Sequence, residues 1–132
     1  MAGEHRPALA LADTSLFIAQ EQDRSITGAP PERVVVSVVT VGELSLGVLA
    51  AEGDARAQRL QTLRWAEALD PLPITREVAE TWAALRLSLR DAGRRMPLND
   101  SWIAATAITE GIPVVSQDDD YDGVPGLSVI RV

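Results

Sequence analysis

The chain contains no cysteine and no lysine, and its single histidine is His5, close to the start. Without Cys there are no disulfides, no thiolate zinc sites and no Cys nucleophile. A lone His in what reads as a frayed leader, residues 1–7, leaves a typical zinc site without ligands. Any metal must then be held by carboxylates, which favours Mg²⁺ or Mn²⁺. Without Lys, Schiff-base chemistry and the lysine of a P-loop are excluded. All twelve basic residues are Arg. No apolar run reaches the length of a membrane span, and the N-terminus lacks the apolar core of a signal peptide. The expectation is a soluble, cytoplasmic protein.

The 132 residues are 46% hydrophobic and 23% charged, which suits one domain over residues 1–132 with a proper core. The net charge of −7 argues against non-specific nucleic-acid binding by bulk charge. It leaves a nucleic-acid substrate open, because a metal in an acidic pocket inverts the local field and Arg can line its rim.

Short apolar strands alternate with helices along the chain. Ala8–Ala12 reads as a buried strand that runs through Asp13 into a short helix. Arg33–Ser37 carries a continuous β-branched run, suited to a strand covered on both faces. Val39–Ala51 and Asp54–Leu69 read as a helix pair turning near Gly53, and Asp70–Ile74 as at most a small strand. Thr75 caps a helix with Val78, Trp82, Leu85 and Leu89 at helical spacing, stopped by Gly93. The next helix starts near Pro97 and Asp100, followed by strands at 111–116 and 127–132. This alternation predicts an α/β fold with a parallel sheet and helices on both faces. The Trp residues fit packing better than a nucleotide-stacking platform.

Several acids stand out. Asp13 ends a strand, where ligands gather in open parallel sheets, although it also suits a helix cap. Glu43 is the only charge between Arg33 and Glu52, and an unpaired carboxylate in such a run is costly to bury. Asp100, at the mouth of an Ala-rich helix, is either a cap or part of a site. Asp118, Asp119, Asp120 and Asp122 crowd the end of the Val114–Ser116 strand, and like charges repel unless something neutralises them. A parallel sheet would bring these positions to one edge. Oxygen ligands clustered around divalent ions suit phosphodiester hydrolysis, where metal activates water and stabilises charge on the attacking and leaving oxygens.

Four stretches in order carry a specific resemblance. They are Ala12-Asp13-Thr14-Ser15, then Ser37 to Gly47 around Glu43, then Leu98 to Ala107 around Asp100, and Val115 to Tyr121 followed by Val124-Pro125-Gly126-Leu127. From about Leu9 to the C-terminus the chain resembles PIN domains, specifically VapC-type toxins of bacterial toxin–antitoxin pairs. The resemblance implies a three-layer α/β/α sandwich with a mainly parallel sheet, and a Mg²⁺- or Mn²⁺-dependent endoribonuclease. It carries the catalytic acids onto Asp13, Glu43, Asp100 and Asp118, and metal ligation onto Asp13, Asp100, Asp118 and Asp120. Ser15, Ser116 and Asn99 take supporting roles, with Ser116 in place of the commoner Thr and Tyr121 in place of Phe. It also implies homodimers and a cognate small antitoxin whose C-terminal segment reaches the site. Arg94 and Arg95, just before the Asp100 helix, are candidates for contacts to RNA phosphates. A signalling receiver domain also gathers acids at strand ends, but normally needs a Lys that this chain lacks. A PIN-like fold kept only for binding would show a broken set of acids, and here the set is intact. If the chain stays extended past Ser116, alternation turns Asp118 and Asp120 to one side and Asp119 to the other.

Overall fold

The computed structural model describes residues 8–26, 28 and 31–132. The expected leader and part of the loop before Arg33 lie outside the described residues. The elements run β1 (Leu9–Ala12), α1 (Thr14–Glu21), β2 (Arg33–Val35), α2 (Val38–Ala50), α3 (Gly53–Glu67), α4 (Arg76–Asp91), α5 (Leu98–Glu110), β3 (Val114–Ser116) and β4 (Val129–Arg131). The strands form a four-stranded sheet in the order β2-β1-β3-β4, and every pairing is parallel. Leu11 sits opposite Val35 on one side and Val114 on the other, so β1 lies at the centre of the sheet.

Alternation along the strands divides the core into two. Leu11, Val35 and Val114 point to one face and pack with Leu85 and Leu89 of α4 and Ile103, Ala104 and Ala107 of α5. Ala10, Ala12, Val36 and Val115 point to the other, against Phe17 of α1, Leu44 of α2 and Ala66 of α3. The result is the α/β/α sandwich that the sequence predicts. Ala104, Ala105 and Ala107 have no exposed surface, so the small side chains of α5 let its backbone come close to the sheet. A larger residue there would overpack the core, at about 1–3 kcal/mol.

The predicted elements form with shifted ends. β2 stops at Val35, and the chain beyond it makes only one bridge, Ser37 to Leu72, before Ser37 caps α2. Pro97 is the N-cap residue of α5 rather than part of its first turn, which places Asp100 third in the helix. At the other end of α5, Gly111 closes the helix in a left-handed conformation (φ 69°) and releases the chain into β3.

Parallel strands put all their carboxyl ends on one edge. β1 connects onward to β2 on one side, whereas β3 connects to β4 on the other. The crevice between the ends of β1 and β3 is therefore where strand order reverses, the usual place for a ligand in an open α/β sheet.

Candidate active site

Asp13 forms the floor of this crevice. It follows β1 directly and is almost fully buried (2% exposed). Its Oδ1 accepts the backbone N–H of Ser15 at 3.1 Å and the Ser15 hydroxyl at 2.6 Å, and its Oδ2 accepts the Ser116 hydroxyl at 3.0 Å. The Ser15 contact caps α1, so Asp13 is a cap and a member of the cluster at once. Burial pushes its carboxyl up to about 6; the hydroxyl bonds oppose that rise, and the charge of Asp118 adds to it.

Asp100 projects from the first turn of α5 and makes no capping bond. Its Oδ1 accepts the hydroxyl of Tyr121 at 3.2 Å. Burial pushes its carboxyl up to about 7, with further increments from a hydrogen bond to the carboxyl of Asp120 and from the charge of that residue. Tyr121 is fully buried. Its burial, together with the charges of Asp13, Asp100 and Glu43, pushes its phenol up, which keeps the hydroxyl a donor.

Glu43 reaches the cluster from α2. Its Oε1 accepts the Thr14 hydroxyl at 2.6 Å and its Oε2 accepts the Asn99 amide at 3.4 Å. Thr14 is itself 3.1 Å from the hydroxyl of Thr40, one turn before Glu43 on α2. Ser116 spans the floor, donating to Asp13 and accepting the backbone N–H of Asp118 at 2.9 Å.

The acidic turn departs from the extended geometry expected of it. β3 ends at Ser116, and the chain bends from Gln117 onward into turns that reach Gly123. Asp120 is nevertheless half-buried against Asp100, while Asp118 and Asp119 are exposed. Turn geometry, and not strand alternation, brings Asp120 to the cluster. Asp122 faces solvent and pairs with Arg131 at 3.0 Å, and Gly123 closes the turn at φ 71°. Arg94 donates through Nη2 to the backbone carbonyl of Asp120 at 3.0 Å, whereas Arg95 is exposed.

The structure thus brings together Asp13, Glu43, Asp100 and Asp120, with Ser15, Ser116 and Asn99 around them and Asp118 at the edge. Sequence reasoning missed Thr14, Thr40 and the contact of Tyr121. Thr14 and Thr40 carried a signal, since one follows Asp13 and the other precedes Glu43 by one helical turn.

The donor set is all oxygen, which suits a hard divalent cation. Among the described residues the ion pairs are Arg90–Asp91 and Arg131–Asp122, so no Arg neutralises these carboxylates. No group of three Asp, Glu or His among the described residues is close enough to enclose an ion. Charge and donor chemistry, rather than spacing, carry the fit: Asp100 and Asp120 stand side by side, and Mg²⁺ keeps several of its waters and needs only one or two direct carboxylates.

The PIN domain pattern matches residues 10–127 of the chain. The chain belongs to the PIN domain family. It is 47% identical to Ribonuclease VapC5 of Mycobacterium tuberculosis over 131 residues, covering 96% of this chain and 97% of that one. Ribonuclease VapC4 of the same organism is 49% identical over 129 residues, covering 93% and 96%. The crystal structure of VapBC-5, a toxin–antitoxin system of M. tuberculosis, superposes with a TM-score of 0.84 at 45% identity, covering 96% of this chain and 100% of that chain. This PIN domain is therefore of the VapC type, and no helix among its described residues is long and apolar enough to cross a membrane.

Proposed function

We propose that this PIN domain is a Mg²⁺- or Mn²⁺-dependent endoribonuclease and the toxin of a toxin–antitoxin pair. The observation that carries the reading is the meeting of Asp13, Glu43, Asp100 and Asp120 at the β1–β3 switch point with no cationic side chain among them. Relatives at 47–49% identity are named ribonucleases, which supports RNA as the substrate.

In this reading Asp13, Asp100, Asp118 and Asp120 would hold the cation between them, one or two directly and the others through its retained waters. When bound, it supplies Lewis-acid activation of water and of the phosphodiester. Ser15 and Ser116 fix the Asp13 carboxylate in one orientation, and Tyr121 fixes Asp100. Glu43, held through Oε1 by Thr14, keeps the more weakly bonded Oε2 to orient the attacking water. The test is cleavage of labelled RNA by purified protein. Cleavage should require Mg²⁺ or Mn²⁺ and stop in EDTA; undiminished cleavage in EDTA contradicts the mechanism.

The partner in this reading is a small antitoxin, and the chain forms a homodimer that assembles further with it in the cytoplasm. VapBC-5 is described as a toxin–antitoxin system, which supports such a partner. A cleft of about 420 Å³ beside Glu43, walled by Ile18, Leu46, Gly47 and Arg59, offers an apolar lining next to the acids. An antitoxin segment lying there would place a basic side chain, best an Arg, on the carboxylates in competition with metal. Trp65 lies outside this cleft and packs edge-on against Phe17 at 4.9 Å. Expression should arrest growth, and co-expression with the adjacent antitoxin gene should rescue it and yield a co-purifying complex. Failure of both removes the toxin–antitoxin reading and leaves the nuclease reading standing.

A further inference from the structure

A large opening lined by several positive side chains lies outside the acidic cluster. A cleft of about 460 Å³ is bounded by Arg86, Arg90, Arg94, Arg95, Gly93 and Met96. Arg86 and Arg90 are four apart on α4 and so share a helix face. The chain then turns at Gly93 (φ 67°) and brings Arg94 and Arg95 back to the same opening. In a chain of net charge −7 this is a local reversal of sign.

The arginines are held without being neutralised. Arg86 donates to the carbonyl of Met96 at 3.2 Å and sits 5.9 Å from the centre of the Trp82 ring. Arg94 donates to the carbonyl of Asp120 at 3.0 Å. Carbonyl oxygens and an aromatic face orient a guanidinium yet leave its charge intact, and most of its five N–H donors remain free. Arg90 meets only Asp91, at 3.6 Å with both side chains well exposed, a weak pair. Arg94 also links the cleft to the acids, because the residue it holds, Asp120, meets Asp100. A strand lying across the acids would continue into the arginines.

We propose that this cleft binds the backbone phosphates of a single-stranded RNA next to the bond being cut. The proposal rests on the ribonuclease reading and adds a binding site outside the acidic cluster. Phosphate contacts position a strand without reading its sequence. The cleft therefore sets affinity and register, while the acids carry the chemistry. It also answers how an acidic protein with no Lys holds a polyanion.

The test substitutes Arg90→Gln with Arg95→Gln, the members that hold no backbone carbonyl. A control with the same charge change, Arg56→Gln with Arg76→Gln, lies on α3 and at the far end of α4. Binding of a labelled single-stranded oligoribonucleotide is followed by fluorescence anisotropy in EDTA across salt concentrations, and cleavage kinetics are measured in Mg²⁺. The cleft variant should bind about tenfold more weakly and lose about 1.4 from the slope of log K against log salt, roughly 0.7 per phosphate contact. Its KM should rise with kcat unchanged, and the control should match wild type in both measurements. Equal weakening in both variants, or wild-type binding in the cleft variant while wild type cleaves normally, overturns the cleft alone. A wild-type protein that neither binds nor cleaves RNA overturns the ribonuclease reading, and the cleft with it.

Discussion

Asp13 and Asp100 are both acids with raised pKa values, but the floor and the wall of the crevice raise them differently. Asp13 is sealed under β1, and Ser15 and Ser116 donate to both of its oxygens. Its carboxyl is high because water is excluded, despite good hydrogen bonding. Asp100 is only half-buried, has the single side-chain donor Tyr121, and faces another acid. Beyond burial, its carboxyl is high because Asp120 is beside it. The floor is thus built to keep one carboxylate fixed, whereas the wall holds two carboxylates that a shared cation would relieve.

The largest effect should come from the floor. Asp13→Asn keeps an N-capping oxygen but removes the charge. RNA cleavage should fall by more than the roughly 10–100-fold typical of changes one shell out from a metal. The same variant should melt several degrees higher than wild type when metal-free at pH 8, because it removes a buried charge whose desolvation the hydrogen bonds from Ser15 and Ser116 only partly offset. The sign follows from linkage. Folded Asp13 and Asp100 bind protons more tightly than in the unfolded chain, so their contribution is full below about pH 4 and is lost as pH rises through about 6 and about 7. In EDTA the wild type should lose stability across that window, and Asp13→Asn should lose less. Thermal melts from pH 4 to 8 decide this, and a wild type that gains stability with rising pH there would contradict it.

At the edge of the crevice, beside Asp13, Asp118→Asn should also lower cleavage strongly, though less than Asp13→Asn, since a neutral amide holds Mg²⁺ poorly. Asp120→Asn should instead weaken metal affinity more than it lowers the rate at saturating metal, because it also relieves Asp100 of a neighbouring charge. Cleavage measured against Mg²⁺ concentration separates the two. Equal loss of rate at saturation would show that both acids act directly in the reaction.

Tyr121→Phe sharpens the comparison by removing the wall's donor without changing its shape. The Tyr121 hydroxyl favours the ionised form of Asp100, so protons should compete better with metal in the variant. Mn²⁺ affinity should fall by about tenfold at pH 6, on the order of the loss of one orienting hydrogen bond near a metal, and by less at pH 8.5. A drop independent of pH would point to loss of orientation alone.

The outer face of the turn should matter least. Asp119→Asn and Asp122→Asn should leave cleavage within about twofold, and loss of the exposed Asp122–Arg131 pair should cost about 0–1 kcal/mol in a denaturant melt. If Asp119→Asn damages cleavage as much as Asp118→Asn, the turn has another arrangement in the working enzyme.

The order of elements was legible in the sequence because strand runs and helix caps are local signals. Thr75 caps α4 as its sequence signals, whereas Ser37 and Gly111, read as strand residues, instead cap α2 and close α5. The gathering of Asp13, Glu43 and Asp100 was legible through the parallel-sheet rule, which sends strand ends to one edge. The acidic turn was not, since alternation holds only while the chain stays extended, and it bends from Gln117. Nor was the choice between cap and site at Asp13, because one carboxylate there does both. The Tyr121 contact depends on a hydroxyl meeting Asp100 across 21 positions of sequence, and no local pattern encodes that. The arginine cleft was half legible: Arg94 and Arg95 stood out beside the Asp100 helix, but Arg86 and Arg90 join them only because the chain turns at Gly93.

The most direct test of the central claim is calorimetric titration of Mn²⁺ into the metal-free protein, wild type against Asp13→Asn, at pH 7.5. Saturable binding by the wild type that is lost or greatly weakened in Asp13→Asn is the predicted result. No binding by the wild type, or equal binding by both proteins, would contradict a carboxylate metal centre built on the floor of this crevice.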